Sequence, residues 1–394
     1  MPTKSLIRAL LLPELTIDRI HQPPGRRLFV VEASKVPVAE YCPRCATRSN
    51  AAYDHRVVTV KDEPFRTFYV QLRIRKRRLW CSPCGKPFTE PVPGIKKGKR
   101  HTERYGRALL RHCERYSDLS RVRRDMRCSS GFLYTTLYRH LELEQRKRRY
   151  PWPEKVGIDE HFFRRNGPAR HFVTMVVDHK NKRVMEVVDG KTGGDLHAAL
   201  QHIEGRERVR FVAMDMCDPY RKFAREFFPN AKLVADKFHV LRLIVPAINR
   251  YRKAITGDRR GLPVRRLLLK NHRSLSPRMR WALWQWLDQY PELRELYEVK
   301  EALHRFYRIR GYSRAKKALT KLTDHMASSQ LPEVKRLRRT LMRWRKPVLA
   351  YFICRLTNGR TEGFNLKAKL VKRRGYGYRS FRNYRLRLLN ACAH

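Results

Sequence analysis

Hydrophobic and polar residues follow different patterns in successive parts of the chain. Over residues 1–98 they alternate in short stretches such as RRLFVVEA and FRTFYVQLRIR, which predicts β-strands. From Thr102 the apolar residues recur at helical spacing in TERYGRALLRHCERY, DLSRVRRDMR and FLYTTLYRHLELE, with a turn at CSSG before the third segment. These patterns predict a strand-rich module over residues 1–98 and a helical domain over residues 99–150, which ends in a linker at EQRKRRYPWPEK.

Residues 151–254 return to strands, now in alternation with helices. VGIDEHFF, RHFVTMVVD and RVMEVVDG predict three strands joined by turns, followed by a helix at GGDLHAALQHIE. Two strand–helix units come next, VRFVAMD with PYRKFAREFF, and AKLVAD with a single helix over KFHVLRLIVPAINRYRK. This order predicts a mixed α/β sheet, and it is the order found in ribonuclease H-like nucleases and transferases.

Amphipathic segments punctuated by prolines predict an all-helical insertion over residues 255–345. Its tryptophans, Trp281, Trp284 and Trp286, are predicted to form its core, because such residues on a helix more often fill a core than stack on bases. Residues 346–394 then complete the sheet domain that residues 151–254 began.

The charge of the chain indicates its partner. Lys and Arg outnumber Asp and Glu by 89 to 36, which gives a formal net charge of +53, and the basic residues run through the whole length, interleaved with aromatics. This distribution favours nucleic acid over a membrane surface. No apolar run approaches the roughly 18 residues of a membrane span, and SLIRALLLPEL is a poor signal peptide because it carries Arg8. We expect a cytoplasmic, nucleoid-associated protein that binds double-stranded DNA and no membrane.

Two CxxC pairs lie in the N-terminal module. Cys42 and Cys45 belong to CPRC, and Cys81 and Cys84 belong to CSPC. The alternative is four unrelated buried thiols, because the 35 residues between Cys45 and Cys81 exceed the usual ribbon spacing. A proline in each pair and the glycine after Cys84 favour zinc knuckles, so we predict a structural Zn²⁺ held by all four thiolates. The intervening RIRKRR is a ready phosphate contact.

The three helices of residues 99–150, with a short turn before the last, match helix-turn-helix spacing. The final helix would offer its side chains to a major groove at Tyr134, Thr135, Thr136 and Arg139. The alternative is an ordinary three-helix packing unit. The predicted fold is therefore multidomain α/β, with a ribonuclease H-like mixed sheet core split by an all-helical insertion and preceded by a zinc-binding module and a helix-turn-helix.

Phosphodiester chemistry by such a sheet usually needs two divalent metals about 4 Å apart, held by three converging carboxylates. Asp159 lies inside the first predicted strand, and Glu160 next to it points to the opposite face, so we choose Asp159. Asp215 ends the buried strand VRFVAMD, where α/β folds place chemistry. Asp236 is its rival, because it also ends a buried strand and has His239 three residues later.

Other aspartates have local explanations. Asp218 before Pro219 is predicted to be a helix N-cap, and Asp178 and Asp189 fall in turns.

Glu362 is the only acidic residue from Val334 to the C-terminus, within TNGRTEGFNLKAKLVKRRGYGYRS. A turn at residues 358–359 with Asn358 or Thr361 as N-cap puts Glu362 in the first turn of a helix. On that helix Asn365, Leu366 and Lys369 share its face, with Arg373 further along, and we expect Lys369 and Arg373 to contact DNA. The alternative is a local pair of Glu362 with Arg360 or Lys367. At GYGY, which breaks the helix, a tyrosine could stack on a base or fill the core.

From the residues alone, the acid set stays open: Asp159, Asp215 or Asp236, and Glu362. VGIDEHFF, AMDMCDPYRKF, ADKFHV and NGRTEGFNLKAKLVKRRGYGYRSFRNYRLRLL together resemble the transposases of the ISL3 family of bacterial insertion sequences, and the N-terminal modules follow the same plan. The resemblance covers nearly the whole chain.

The resemblance implies a DDE transposase in which Asp159, Asp215 and Glu362 bind two Mg²⁺ or Mn²⁺ ions. It also implies that Asp236 and His239, in DKFH, support the site without joining the triad.

The implied activity is binding of terminal inverted repeats, metal-dependent DNA cleavage and strand transfer to target DNA. Because two ends must be held together, we expect a homo-oligomer on DNA. The alternatives are a transposase-derived DNA-binding regulator without catalysis, and a ribonuclease H-like structure-specific nuclease.

Overall fold

The computed structural model describes residues 12, 14–116, 118–148, 150–166, 169–257 and 263–393. The chain divides into two compact units, of which the first ends at Leu143 and the second begins at Glu144. Each unit is built on its own five-stranded β-sheet.

The first unit begins with strands. In chain order they are β1 (Leu15–His21), β2 (Leu28–Lys35), β3 (Glu40–Tyr41), β4 (Arg48–Ser49), β5 (Ala52–Phe65), β6 (Phe68–Cys81) and β7 (Lys86–Thr89). The main sheet has the order β1-β2-β6-β5 with β7 paired to β6, and only β2 and β6 run parallel. Alternate side chains of these strands, such as Val31, Leu72 and Ile74, form its core, as the alternating pattern predicts.

Three helices follow in the first half of the chain: α1 (Glu103–Arg115), α2 (Leu119–Asp125) and α3 (Ser130–Lys147). The Thr102 hydroxyl caps α1 and donates to the buried carboxylate of Asp62 on β5 (2.6 Å), which ties the helix to the sheet. The Asp118 carboxylate caps α2. Helix α3 runs to Lys147, so the first residues of the predicted linker EQRKRRYPWPEK belong to the helix. The helix therefore ends a few residues later than predicted, which is an ordinary difference for a helix end.

The second unit is built on a mixed sheet of β8 (Lys155–Asn166), β9 (Ala169–Asp178), β10 (Arg183–Asp189), β11 (Phe211–Met214) and β12 (Lys232–Ala235). The order is β10-β9-β8-β11-β12. The first three strands form an antiparallel meander, and β11 and β12 continue the sheet parallel to β8. The continuous apolar runs of β11 and β12 fit strands that are covered on both faces.

The described residues of the second unit form twelve α-helices, of which some cover the two faces of the sheet. They are α4 (Gly193–Leu200), α5 (Asp218–Phe227), α6 (Lys237–Arg242), α7 (Val245–Thr256), α8 (Pro263–Leu269), α9 (Pro277–Leu287), α10 (Pro291–Phe306), α11 (Tyr312–His325), α12 (Pro332–Arg343), α13 (Arg345–Cys354), α14 (Gly359–Arg374) and α15 (Phe381–Ala391). One face packs on α4 and α5 and is continuous with the core of the following helices. The other face, with Val173, Met175 and Val177, is covered by α14 and α15.

Two predictions about where helices begin or end are wrong. The single helix predicted over KFHVLRLIVPAINRYRK is broken between α6 and α7, because Pro246 lacks an amide hydrogen and favours the first turn of a new helix. Asp218 is not an N-cap, because α5 begins at Asp218 itself and Cys217 is the cap; the Asp218 carboxylate instead accepts from Arg343 (2.6 Å).

Helices α7 to α12 form the helical segment that separates β12 and α6 from α13 and α14. Its core is mainly aliphatic and tyrosine-rich. Trp284 and Trp286 are half-buried and pack against this core, as predicted, whereas the prediction is wrong for Trp281, which is 68% exposed. Among the described residues no helix is both long enough and apolar enough to cross a bilayer.

Candidate active site

Three neighbouring strands of the second sheet place an aspartate at the same level. It lies within β8, and it directly follows the last residue of β11 and of β12. Met214 of β11 is paired with Ile158 of β8 and with Ala235 of β12. The next residues along the three strands are Asp159, Asp215 and Asp236, which therefore stand side by side in consecutive strands about 4.8 Å apart. The sheet topology brings together residues that are 77 positions apart in sequence, from Asp159 to Asp236.

Asp159 is buried and points to the face that α14 covers. Both of its carboxylate oxygens accept a hydrogen bond: Oδ1 from the Glu160 amide (2.8 Å) and Oδ2 from Asn365 Nδ2 (2.7 Å). Glu160 points away, with Lys191 Nζ 3.6 Å from its carboxylate. Burial and the nearby charge of Asp215 raise the pKa of Asp159 to about 7.

His239, in the first turn of α6, lies between the other two aspartates. Its Nδ1 is 2.8 Å from Asp215 Oδ1 and 3.0 Å from Asp236 Oδ2. Hydrogen bonds to Asp215 and Asp236 raise the pKa of His239 to about 10, so the ring is an imidazolium at neutral pH. The ligand atoms of these three residues all lie within 4.8 Å of one another.

The carboxylates of Asp236 and Asp215 differ in their hydrogen bonds and in their exposure. Asp236 is fully buried and caps α6; Oδ2 accepts from His239, and Oδ1 accepts from the Asn358 amide (2.8 Å). Burial alone would raise the pKa of Asp236, but the hydrogen bonds from His239 and Asn358 lower it overall. Asp215 keeps part of its side chain exposed. Asp236 is thus satisfied within the protein, whereas Asp215 remains open.

Asn358 anchors the start of α14 on the sheet. It occupies the N-cap position, but its side chain does not cap the helix; Nδ2 donates instead to the Ile158 carbonyl on β8 (3.2 Å). The close approach depends on Gly157, where a Cβ would lie 2.4 Å from His179 Nε2 and 2.5 Å from Thr361 Oγ1. The helix therefore starts directly over the strand that carries Asp159.

Glu362 lies in the first turn of α14 and is half-buried. Its two potential local partners bond elsewhere: Arg360 donates to the His179 carbonyl, and Lys367 donates to the Ala391 carbonyl. In the part of the chain that the structure describes, no side chain pairs with the Glu362 carboxylate. The simple alternative of a local ion pair at a helix start is therefore wrong. Asn365, one turn later, is the residue that reaches Asp159.

The aspartates at this end of the sheet offer carboxylate oxygens to a divalent cation, but among the described residues only Asp215, Asp236 and His239 have ligand atoms within 4.8 Å of one another; Asp159 and Glu362 do not join that group. Oxygen ligands are what Mg²⁺ and Mn²⁺ prefer. Two observations fit such an ion: the Glu362 carboxylate is unpaired among the described residues, and Asn365 Oδ1 is a buried acceptor without a partner. Burial and the charge of Asp215 raise the pKa of Asp159, and a bound cation would favour the ionised form of Asp159.

The four N-terminal cysteines form a second cluster, in the first unit. Their sulfur atoms all lie within 4.8 Å of one another, with Cys42 and Cys84 4.0 Å apart and Cys45 and Cys81 3.4 Å apart. Thiolates about 2.3 Å from a tetrahedral zinc stand about 3.8 Å from each other, so the cluster fits the ion. Hydrogen bonds from Thr47 lower the pKa of Cys45 to about 6, which favours the ligating thiolate.

Each CxxC pair sits on a tight turn. The residue after the second cysteine has a positive φ in both turns: Ala46 at 57° and Gly85 at 59°. A glycine adopts this conformation freely, which explains the CG dipeptide at Cys84.

The predicted DNA-contacting side chains are accessible. On α3, Tyr134, Thr135 and Arg139 are exposed and Thr136 is half-buried, and the Tyr134 ring stacks on Tyr138 with centroids 6.0 Å apart. On α14, Lys369 and Arg373 are both exposed.

Sequence reasoning missed the bonds that Asn358 and Asn365 make. It placed Asn365 on the Glu362 face of the helix but assigned it no partner. The one signal in the sequence for a role of Asn365 is its spacing of three residues from Glu362, because residues i and i+3 share a helix face.

Comparisons with known proteins agree with the sequence motifs. The sequence profile of the ISL3 family, described as a transposase, matches residues 156–388. A second profile, described as the zinc-finger of transposase IS204/IS1001/IS1096/IS1165, matches residues 39–84. The chain is 25% identical over 378 residues to the transposase for insertion sequence element IS1001 of Bordetella parapertussis, covering 92% of this chain and 91% of the relative. It is also 25% identical over 271 residues to the transposase for IS1557 of Mycobacterium tuberculosis, covering 61% and 60%.

Proposed function

Because the chain belongs to the ISL3 family of insertion-sequence transposases, we propose that it binds the terminal inverted repeats of its element, cuts the DNA there and transfers the ends to target DNA. The observation that supports this proposal is the row of Asp159 and Asp215 on adjacent strands, with α14 bound to Asp159 through Asn365 and carrying in its first turn Glu362, which is unpaired among the described residues. A site for phosphodiester chemistry needs carboxylates that converge on the metal ions.

The fold of the second unit supports a ribonuclease H-like core. An antiparallel meander of three strands is followed by two parallel strands, in the order β10-β9-β8-β11-β12. Helices cover both faces, and the candidate site lies where the first strand, β8, meets β11. In this proposal residues 255–345, which include α8 to α12, form an insertion into that core.

Asp159, Asp215 and Glu362 are the residues that would hold two divalent cations, Mg²⁺ or Mn²⁺. When bound, such ions polarise the phosphodiester and activate the attacking hydroxyl, first of water and then of a DNA 3′ end. The chain itself fixes the carboxylates: Asn365 orients Asp159, and the start of α14 is held on β8 by Asn358. No side-chain nucleophile is required.

Asp236 and His239 act as support. Asp236 is fully buried, and its two carboxylate oxygens accept from His239 and the Asn358 backbone amide, whereas the Asp215 side chain is partly exposed. His239 holds Asp215 Oδ1 and leaves the other oxygen available. This arrangement favours Asp215 over Asp236 as the ligand and makes Asp236 the residue that positions His239.

The remaining parts serve DNA recognition. In this proposal the zinc cluster and the exposed face of α3, as a helix-turn-helix, read the inverted repeats, and Lys369 and Arg373 contact phosphates next to the site. Two copies of the chain hold the two ends together.

Separate substitutions test the carboxylates. We expect Asp159→Asn, Asp215→Asn and Glu362→Gln to reduce end cleavage with Mg²⁺ or Mn²⁺ by more than the roughly 10- to 100-fold that loss of a supporting hydrogen bond costs. Asp236→Asn should fall within that smaller range. Glu160→Gln is the matched control, because Glu160 neighbours Asp159 in sequence but points away from the site.

An Asp215→Asn variant that cleaves normally beside an inactive Asp236→Asn variant would show that the ligand assignment is wrong. A strand-transfer assay separates the function classes. A regulator performs neither step, a structure-specific nuclease performs cleavage alone, and a transposase performs both.

A further inference from the structure

The segment that follows α14 exposes one tyrosine and buries another. Tyr376 is 88% exposed, the highest fraction among the large apolar side chains that the structure describes. Tyr378, two residues later, packs against the core of the second unit, with its ring centroid 5.5 Å from that of Tyr384. The two tyrosines of GYGY therefore have different surroundings, and only Tyr376 is presented to solvent.

The turn that presents Tyr376 is well defined. Three backbone hydrogen bonds return from it to the last turn of α14: the Gly375 amide to the Val371 carbonyl (3.1 Å), the Tyr376 amide to Arg373 (3.2 Å) and the Gly377 amide to Lys372 (2.9 Å). A Cβ on Gly375 would lie 2.9 Å from the Tyr378 ring, so the ring packs directly on the backbone. The position of Tyr376 is thus fixed by the end of the helix and by the core.

Tyr376 adopts a conformation that a bulky residue disfavours. Its φ is 51°, in the left-handed region, where Gly and Asn are at ease and a large side chain is an outlier. Among the described residues no aromatic ring or cation contacts the Tyr376 ring. The backbone hydrogen bonds from Tyr376 and Gly377 to the last turn of α14 hold this conformation, which commonly ends a helix. A large ring kept exposed at a position that favours Gly or Asn is consistent with contact to a ligand.

The charge around Tyr376 identifies the class of that ligand. Four basic side chains close to it in sequence are exposed: Lys369, Arg373, Arg374 and Arg379. Within the described part of the chain none of the four pairs with a carboxylate, and Glu362 is the only acid after Glu333. An exposed aromatic ring among unpaired cations is the arrangement by which proteins grip nucleic-acid phosphates and stack on bases.

We propose that Tyr376 stacks on a base of the bound transposon end at a base step that opens on binding. The residue lies 14 positions after Glu362 on the same helix and its C-terminal turn, which corresponds to about 21 Å. This length spans about six base-pair steps of B-DNA. The stacked base is therefore expected within about six base pairs of the cleaved bond. The inference rests on the proposed function, because it takes the element's end as the ligand.

The experiment uses duplexes that carry the terminal inverted repeat flanking the gene, with 2-aminopurine placed at each position within six base pairs of the cut. The full-length protein carries Glu362→Gln so that the DNA stays intact. We expect the fluorescence to rise on binding at one position, because 2-aminopurine brightens when it leaves the base stack. Tyr376→Asn should abolish this rise and weaken binding about 10- to 100-fold, whereas Tyr376→Trp should retain both.

Two controls separate stacking from other effects. Tyr376→Asn should leave the melting temperature unchanged or raise it, because Asn tolerates a positive φ. Tyr312→Asn, which removes an exposed tyrosine from α11, should leave affinity and fluorescence unchanged. The inference is overturned if Tyr376→Asn binds and unstacks DNA like its parent, if it lowers the melting temperature, or if Tyr312→Asn has the same effect.

The same preparation distinguishes a failure of the proposed function. If the protein with Glu362 intact binds the end and opens the step but never cleaves it, the proposed function fails and the stacking inference stands. If that protein cleaves while Tyr376→Asn binds normally, only the stacking inference fails.

Discussion

Asn365 positions the carboxylate of Asp159, the residue proposed as a metal ligand. Its amide holds Asp159 Oδ2 and so fixes the plane of a carboxylate that burial and Asp215 make reluctant to ionise. We expect Asn365→Ala to reduce end cleavage about 10- to 100-fold, because a metal ligand that loses its supporting hydrogen bond is poorly oriented. Measured DNA affinity should not change, since the contact lies within the protein.

Leu366→Ala is the matched control for this prediction. Leu366 is the next residue on α14 and is 69% exposed, so its truncation removes little packing. Equal losses of cleavage in the two variants would mean that α14 tolerates no change, and would contradict a specific role for the amide.

For single residues, the sequence predicts which residue types lie at the site but not the hydrogen bonds that they make. Asp159, Asp215, Asp236 and Glu362 could be selected from strand ends and from the rarity of acids in the tail. The bonds of Asn358 and Asn365 could not be predicted, because they join positions 200 and 206 residues apart. Pairing of that range depends on the register of the whole sheet, which no local pattern specifies.

Among the structural elements, the four-cysteine cluster is the one whose stability depends most on a bound metal ion. Strands β3 and β4 have two residues each, and the cluster's core consists of Cys42, Leu79, Cys81 and Phe88. So small a core does not hold a fold by apolar burial alone, and structural zinc commonly supplies the missing free energy.

We expect the purified protein to contain one equivalent of zinc, and we expect Cys81→Ser to lose both the zinc and preferential binding to the inverted repeat. Cys128→Ser is the control, since Cys128 lies outside the cluster. Zinc content measured by mass spectrometry and competition binding with unrelated DNA check this. Less than one equivalent, with folding unaffected by a chelator, would contradict a structural zinc.

Elements were predicted well where one physical rule dominated. Alternation located β2 and β6, and buried apolar runs located β11 and β12 with the aspartates that follow them. The boundary between α6 and α7 was missed because the helical periodicity continues across Pro246, while the missing amide hydrogen ends the first helix. Trp281 was misplaced because periodicity does not show which face of a helix finds a partner.

For the whole molecule, the net charge of +53 should dominate affinity for DNA. Each phosphate contact contributes about 0.9 to the slope of log K against log salt. A double substitution, Lys369→Ala with Arg373→Ala, should therefore reduce that slope by about 2 and weaken binding to all sequences alike.

The control for the salt prediction is Arg294→Ala. Arg294 already pairs with Asp288 and Glu298 on the helical segment, so its loss should leave the slope unchanged. Titrations between low and physiological salt measure both slopes, and an unchanged slope for the double variant would remove α14 from the DNA interface.

Helices α14 and α15 are synthesised after all the strands of the second sheet. A ribosome that has made the first 356 residues has supplied all the strands of the second sheet, yet neither Glu362 nor the two helices that cover Val173, Met175 and Val177. Until α14 and α15 have been synthesised, that apolar face stays bare. A chain that stops before these helices therefore resembles unfolded protein to the cell's proteases. The cell is expected to clear such fragments, so DNA would meet the protein only with α14 and α15 in place.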